Sequence, residues 1–128
     1  MEPIKKLTAE LTAEETAAYD KRAAELATSH NDGRKVHPIV QIDSTNNFAR
    51  SVCYLKEPNY VTKVRIMDKA STSGVYSAAE ELREICVIKE ESDPITYSEA
   101  PESDRFKLGV LDYAIGMISR LQNQFKKK

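Results

Sequence analysis

What this chain lacks bounds it first. Its four glycines, Gly33, Gly74, Gly109 and Gly116, are scattered, so no glycine-rich loop is available to cradle a phosphate. No serine stands in a nucleophile-elbow pattern. The two cysteines, Cys53 and Cys86, and the two histidines, His30 and His37, fit none of the close-paired zinc spacings. No metal and no cofactor are therefore expected. Acids and bases nearly cancel, leaving a net charge of −1 and no global pull toward nucleic acid or an anionic membrane. Lys63, Arg65, Lys69 and the terminal lysines have no aromatic stacking groups among them, which makes nucleic-acid contact a weak signal. No apolar run approaches the ~20 residues of a membrane span. The opening MEPIKKLTAEL lacks the apolar stretch of a secretory signal, so the expectation is a cytoplasmic protein with two free, buried thiols.

Catalysis is not expected. A dyad of Cys53 or Cys86 with His30 or His37 can be drawn on paper. Cys86, however, falls on the apolar stripe of a helix and Cys53 in a strand, where an inert core thiol is the ordinary outcome. The acidic run at residues 89–93 lacks the alternating oxygens and the glycine of a calcium loop. Residues 89–104, acidic and with two prolines, read as an exposed, solvated loop.

What is present is helix and a little sheet. At 128 residues the chain is one domain in the usual size range. Thr12 and Glu15 make a capping box, and an Ala-rich helix follows to about Ser29, ended by Asn31-Asp32-Gly33. Tyr19 and Leu26 are its large apolar side chains, so this arm (residues 1–33) is expected to dock weakly, move, or find its seat on a partner. Residues 36–43 and 48–56 are extended, joined by turn formers, and predict an antiparallel hairpin with Pro38 on an edge. A lone hairpin is marginal in water and must lie against helices.

Pro58 then ends the second strand and Asn59 caps a helix. Tyr60, Val61, Val64 and Met67 share one side of that helix, and Ser71-Thr72-Ser73-Gly74 breaks it. Val75, Ala78, Ala79, Leu82, Ile85 and Cys86 stripe a third helix, with Glu80, Glu81, Arg83 and Glu84 on its polar side. The last helix starts near Ser103 or Asp104. Phe106, Val110, Tyr113, Met117 and Leu121 form its row, widened by Leu111, Ala114, Ile115, Ile118 and Phe125. A stripe this broad can face the core and still leave apolar surface for a neighbour. The order α-β-β-α-α-α predicts an α+β fold, a small hairpin packed on a helical bundle, with residues 34–128 as the main domain.

From Val36 onward the layout also resembles a known family. Its features are an extended segment with an acidic end (VQID), a strand closing in an aromatic-basic-proline joint (CYLKEPNY) that leads into a helix, and a helix ending in an apolar run with cysteine (AAEELREICVI). An acidic loop containing Asp-Pro (SDPITY) and a terminal amphipathic helix ending in lysines follow. This order is similar to that of the tail-assembly chaperones of long-tailed bacteriophages and prophages. The longer Ala-rich first helix and the SDPITYSEAPES segment depart from it. The resemblance implies a non-enzymatic protein that binds the helical tape-measure protein and keeps it soluble while the tail tube assembles, with the tube protein as a further contact and homo-oligomers expected. It also implies that Lys126-Lys127-Lys128 is encoded by an A-rich frameshift run, which the gene's nucleotides can check. On this reading the partner-binding residues are Tyr113, Met117, Leu121 and Phe125, with Tyr19 and Leu26 helping. Ordinary core is the alternative role for all six, and a small regulatory or adaptor protein is the alternative function.

Overall fold

The computed structural model describes residues 7–124. Its elements are α1 (Ala13–His30), β1 (Val36–Asp43), β2 (Ala49–Lys56), α2 (Tyr60–Ser73), α3 (Val75–Cys86), three 3-10 turns between residues 89 and 103, and α4 (Asp104–Gln124). This is the expected α+β order, with the two strands paired antiparallel.

The hairpin forms the middle layer. Its register pairs His37 with Leu55, Ile39 with Cys53 and Val40 with Val52. Side chains alternate across a strand, so Ile39, Cys53 and Leu55 enter one core with Ile66, Leu82, Cys86, Val110, Ala114, Met117 and Ile118. Val36, Val52 and Tyr54 point the other way and meet Ala23, Leu26 and Tyr19 of α1. The hairpin is thus covered on both faces, by α3 and α4 on one side and α1 on the other.

The arm expected to dock weakly is seated on the hairpin, and charge supplies what its alanines do not. The Thr12–Glu15 capping box is present. Glu15 also holds Arg50 of β2 through both carboxylate oxygens, at 2.9 and 3.2 Å, and Arg50 donates further to the carbonyls of Thr8 and Glu10. Farther along, Arg22 donates to Glu91 at 2.7 Å. At the helix end, Asn31 Nδ2 donates to the carbonyls of Arg34, Lys35 and Glu57, tying α1 to both strands. Gly33, at φ 83°, takes the left-handed turn that a Cβ would strain.

Residues 89–104 overturn the expectation of a solvated loop. Thr96 and Ser103 are buried, and so is Ser92. The reason is the exposed edge of β2, whose main-chain groups need partners. Ser92 Oγ and Asp93 Oδ2 accept from the amides of Tyr54 and Val52, at 2.9 and 2.8 Å. The amides of Ile88 and Asp93 return bonds to the carbonyls of the same two residues. The segment therefore acts as a short third strand made partly of side chains.

Two helix faces also differ from expectation. In α3, Arg83 is buried rather than solvated, held by Glu80, while Ile85 is exposed. In α2 the buried residue is Ile66, with Ala70 packed against the core beside it. Tyr60, Val61 and Val64 face outward. The apolar residues of α2 are divided between two sides, and burial follows the i, i+4 pair that meets α3.

Candidate functional site

The six residues expected to bind a partner separate into three groups. Leu26, Met117 and Leu121 are buried within this chain. The row on α4 that was expected to keep apolar surface free is instead consumed as core, because the hairpin, α3 and the 3-10 turns surround that helix. A partner helix can pack along the Met117–Leu121 row only if α4 leaves its seat. Tyr19 and Tyr113 are partly buried and both line one groove beside β1. Phe125, with the terminal lysines, lies outside the described residues.

Tyr113 belongs to a polar chain that sequence reasoning missed. His37 is buried and uses both ring nitrogens. Nε2 bonds Glu57 Oε2 at 2.6 Å and Nδ1 bonds the Tyr113 hydroxyl at 2.8 Å. The His37 bond, with Lys63 and Arg120 nearby, holds the Glu57 carboxyl below its ordinary range against the opposing effect of burial. The chain borders a cavity of about 350 Å³ lined by Lys35, His37, Glu57, Met117, Arg120 and Leu121. Among the described residues that line this cavity there is no serine, threonine or cysteine. The arrangement satisfies a buried imidazole and locks β1 to α4 and to the end of β2, which is a structural task. The legible signal was His37 at alternate position to Ile39, on the core-facing side of the strand.

The cysteines are placed for inertness. Cys53 and Cys86 are both free and buried. Burial raises the Cys53 thiol pKa, and it pushes that of Cys86 up to about 11. His30 sits by Ser29 and Glu90 and His37 by Glu57 and Tyr113, so neither histidine activates a thiol. Among the described residues no cluster of His, Cys, Asp and Glu could hold a metal ion, and no helix is long and apolar enough to cross a membrane.

Most of the large exposed apolar side chains among the described residues lie on α2 and α3, with Leu7 and, on α4, Leu108 also outward. Tyr60 is 76% exposed, Val61 75% and Tyr76 70%, with Val64 and Ile85 also outward. The two helices run antiparallel and are laced by Arg65 to Glu81 at 2.6 Å. A groove of about 660 Å³ continues along the pair, with Arg65 and Lys69 on one wall and Tyr76, Glu80, Glu81, Glu84 and Ile85 on the other. Large apolar side chains at helical spacing, rimmed by charge of both signs, can receive a partner helix of complementary pattern. Sequence reading located the stripe Tyr60-Val61-Val64 but placed it on the face of a helix without seeing that Ile66 would take the inside.

Comparison with family models, with curated proteins and with solved structures yields no match.

Proposed function

We propose that this protein is a non-enzymatic binding module whose α2–α3 face holds an amphipathic helix of another protein. In its sharper form, the reading is a tail-assembly chaperone of a long-tailed bacteriophage or prophage, acting in the host cytoplasm to keep the helical tape-measure protein soluble. The observation that carries it is the contrast between the outside and the inside. Five large apolar side chains of α2 and α3 (Tyr60, Val61, Val64, Tyr76 and Ile85) stand in solvent, whereas the buried His37, Asp43 and Arg83 each have hydrogen-bonding partners within the chain. Exposed apolar area on adjacent helices costs solubility unless something covers it. The mixed charges of the groove suit a helix with both acids and bases, as tape-measure segments are expected to have.

Co-expression with the product of the long helical reading frame downstream of this gene tests it. The expected result is a soluble complex that is lost on combining Val61→Asp with Val64→Asp. A partner that stays insoluble with the unchanged protein, or a complex indifferent to both substitutions, contradicts it. The adaptor alternative, with nucleic-acid contact, gains one feature: Tyr76 lies beside Arg65 and Lys69. Glu80, Glu81 and Glu84 share that groove and repel phosphate, so salt-dependent DNA binding is expected to be absent.

A further inference from the structure

The groove between α2 and α3 carries opposite charge on its two walls. On α2 the lining ionisable groups are Arg65 and Lys69, both cations. On α3 they are Glu80, Glu81 and Glu84, all acids. Arg65 and Glu81 neutralise each other across the groove. The other ion pair of α2 is Lys63 with Glu57, so among the described residues Lys69 has none. Glu84 has only Arg83, at 3.6 Å, and Glu80 already holds that guanidinium. Asp68 is also exposed, but it stands about 100° round the helix from Lys69 and does not line the groove. The large apolar side chains of the groove are Tyr76 and Ile85. Tyr76 stands next to the joint at Gly74, and Ile85 lies toward the open end, about 14 Å farther along α3.

We propose that this groove fixes the direction of its partner: the helix it takes carries acids along one flank and bases along the other, and lies with its acids against α2 and its bases against α3. The inference rests on the α2–α3 face being the partner site, and adds the partner's charge pattern and polarity. Apolar contact alone accepts an amphipathic helix in either direction. Turning a helix end for end with its apolar face held down exchanges its left and right flanks. In a groove with one cationic and one acidic wall, the turned helix sets acids beside Glu80 and Glu84, which they repel, and bases beside Lys69. Exposed ion pairs add little affinity, so the walls act mainly on direction.

Helix handedness decides which sequence goes with which direction. A right-handed helix advances about 100° per residue, so four residues on is about 40° to the right when the helix is seen from solvent running upward. Arg65 and Lys69 of the groove follow the outward Val61 by four and eight positions, which puts α3 to the right of α2. In α3, Glu81 and Ile85 follow the exposed Ser77 in the same way, which puts α2 to the right of α3, as antiparallel helices require. The partner shows the groove its apolar face, and the same rule sets its flanks. For a partner written as heptads abcdefg with a and d apolar, acids at b and e with bases at c and g make it run parallel to α2. Its N-terminus then lies at the Ile85 end. Exchanging the two sets of charges reverses it.

Two synthetic peptides of about 20 residues, added to the full chain, test this. Both have leucine at a and d and alanine at f. One has glutamate at b and e with lysine at c and g, and the other has these exchanged. A nitroxide at the N-terminus of each broadens nearby resonances and so locates that end. The first peptide is expected to broaden the Ile85 methyls and the second the Tyr76 ring, with the stated direction favoured about tenfold in each case. Combining Lys69→Glu with Glu84→Lys mixes the charge of both walls. That protein is expected to keep its far-ultraviolet spectrum and to show both ends broadened alike by either peptide. Both peptides lying in one direction on the unchanged protein, or either lying in both directions alike, overturns the proposal and leaves the partner face standing. A direction indifferent to the paired substitution also overturns it, by assigning direction to the apolar contacts. Shifts of Ile85 and Tyr76 on concentrating the protein without peptide overturn it by assigning the groove to a second copy. Binding of neither peptide to α2 or α3 overturns the partner face and this inference together.

Discussion

Helices α2 and α4 carry comparable apolar stripes and meet opposite fates. In α4, Phe106, Val110, Ala114, Met117, Ile118 and Leu121 are all buried. In α2, Ile66 is buried while Tyr60, Val61 and Val64 stand outside. The difference is one of neighbours. α4 is central, touched by β1, α3 and the 3-10 turns, and α2 is peripheral, packed chiefly on α3. Periodicity reports that a helix has an apolar face, and position in the fold decides whether the chain covers that face itself.

Substitutions can break this comparison directly. Ile118→Ala, inside the core, is expected to cost about 2–5 kcal/mol in urea unfolding. Val61→Ser on α2 is expected to stay within about 0.5 kcal/mol of the unchanged protein. Equal costs would mean that the outward face of α2 is part of the fold.

Next in size is a chemical contrast between inside and outside. Neither Cys53 nor Cys86 is expected to react with an alkylating reagent in the native protein at pH 8, since burial keeps both thiols protonated. Both should react once urea unfolds the chain, and mass spectrometry counts the labels. A native label on either residue would show that the core opens around α3 or β2.

A smaller effect sharpens the account of α1, the helix whose seating charge completes. The Arg50 guanidinium, aided by the Thr12 amide, holds the Glu15 carboxyl at about 2, against an ordinary value of 4.5. The folded-state value is the lower one, so the contact stabilises the docked helix fully above about pH 4.5 and is lost as pH falls through about 2. Side-chain carbon shifts of Glu15 should titrate near that lower value, and Arg50→Ala should return the midpoint toward the ordinary one. A midpoint unchanged by Arg50→Ala would assign the shift to the helix cap alone.

Much of the fold was legible because its signals are local. The Thr12–Glu15 box, the Pro58–Asn59 joint, the strand boundaries at Val36–Asp43 and the helix break before Val75 each follow from residues a few positions apart. The site was less legible because its determinants are not. Nothing near Ser92 and Asp93 announces that their side chains will finish the edge of a strand some 40 residues earlier in sequence. Arg83 reads as solvent-facing until Glu80 folds onto it. Met117 and Leu121 read as spare apolar surface because helical spacing carries no count of the neighbours that will arrive.

The most direct test of the account is methyl and amide resonance mapping as the helical partner is added to the folded protein. The account expects the signals of Val61, Val64 and Ile85 to shift or broaden while those of Met117, Ile118 and Leu121 hold still. Perturbation confined to Met117, Ile118 and Leu121, with α2 unaffected, would contradict it and return the partner site to an opened α4.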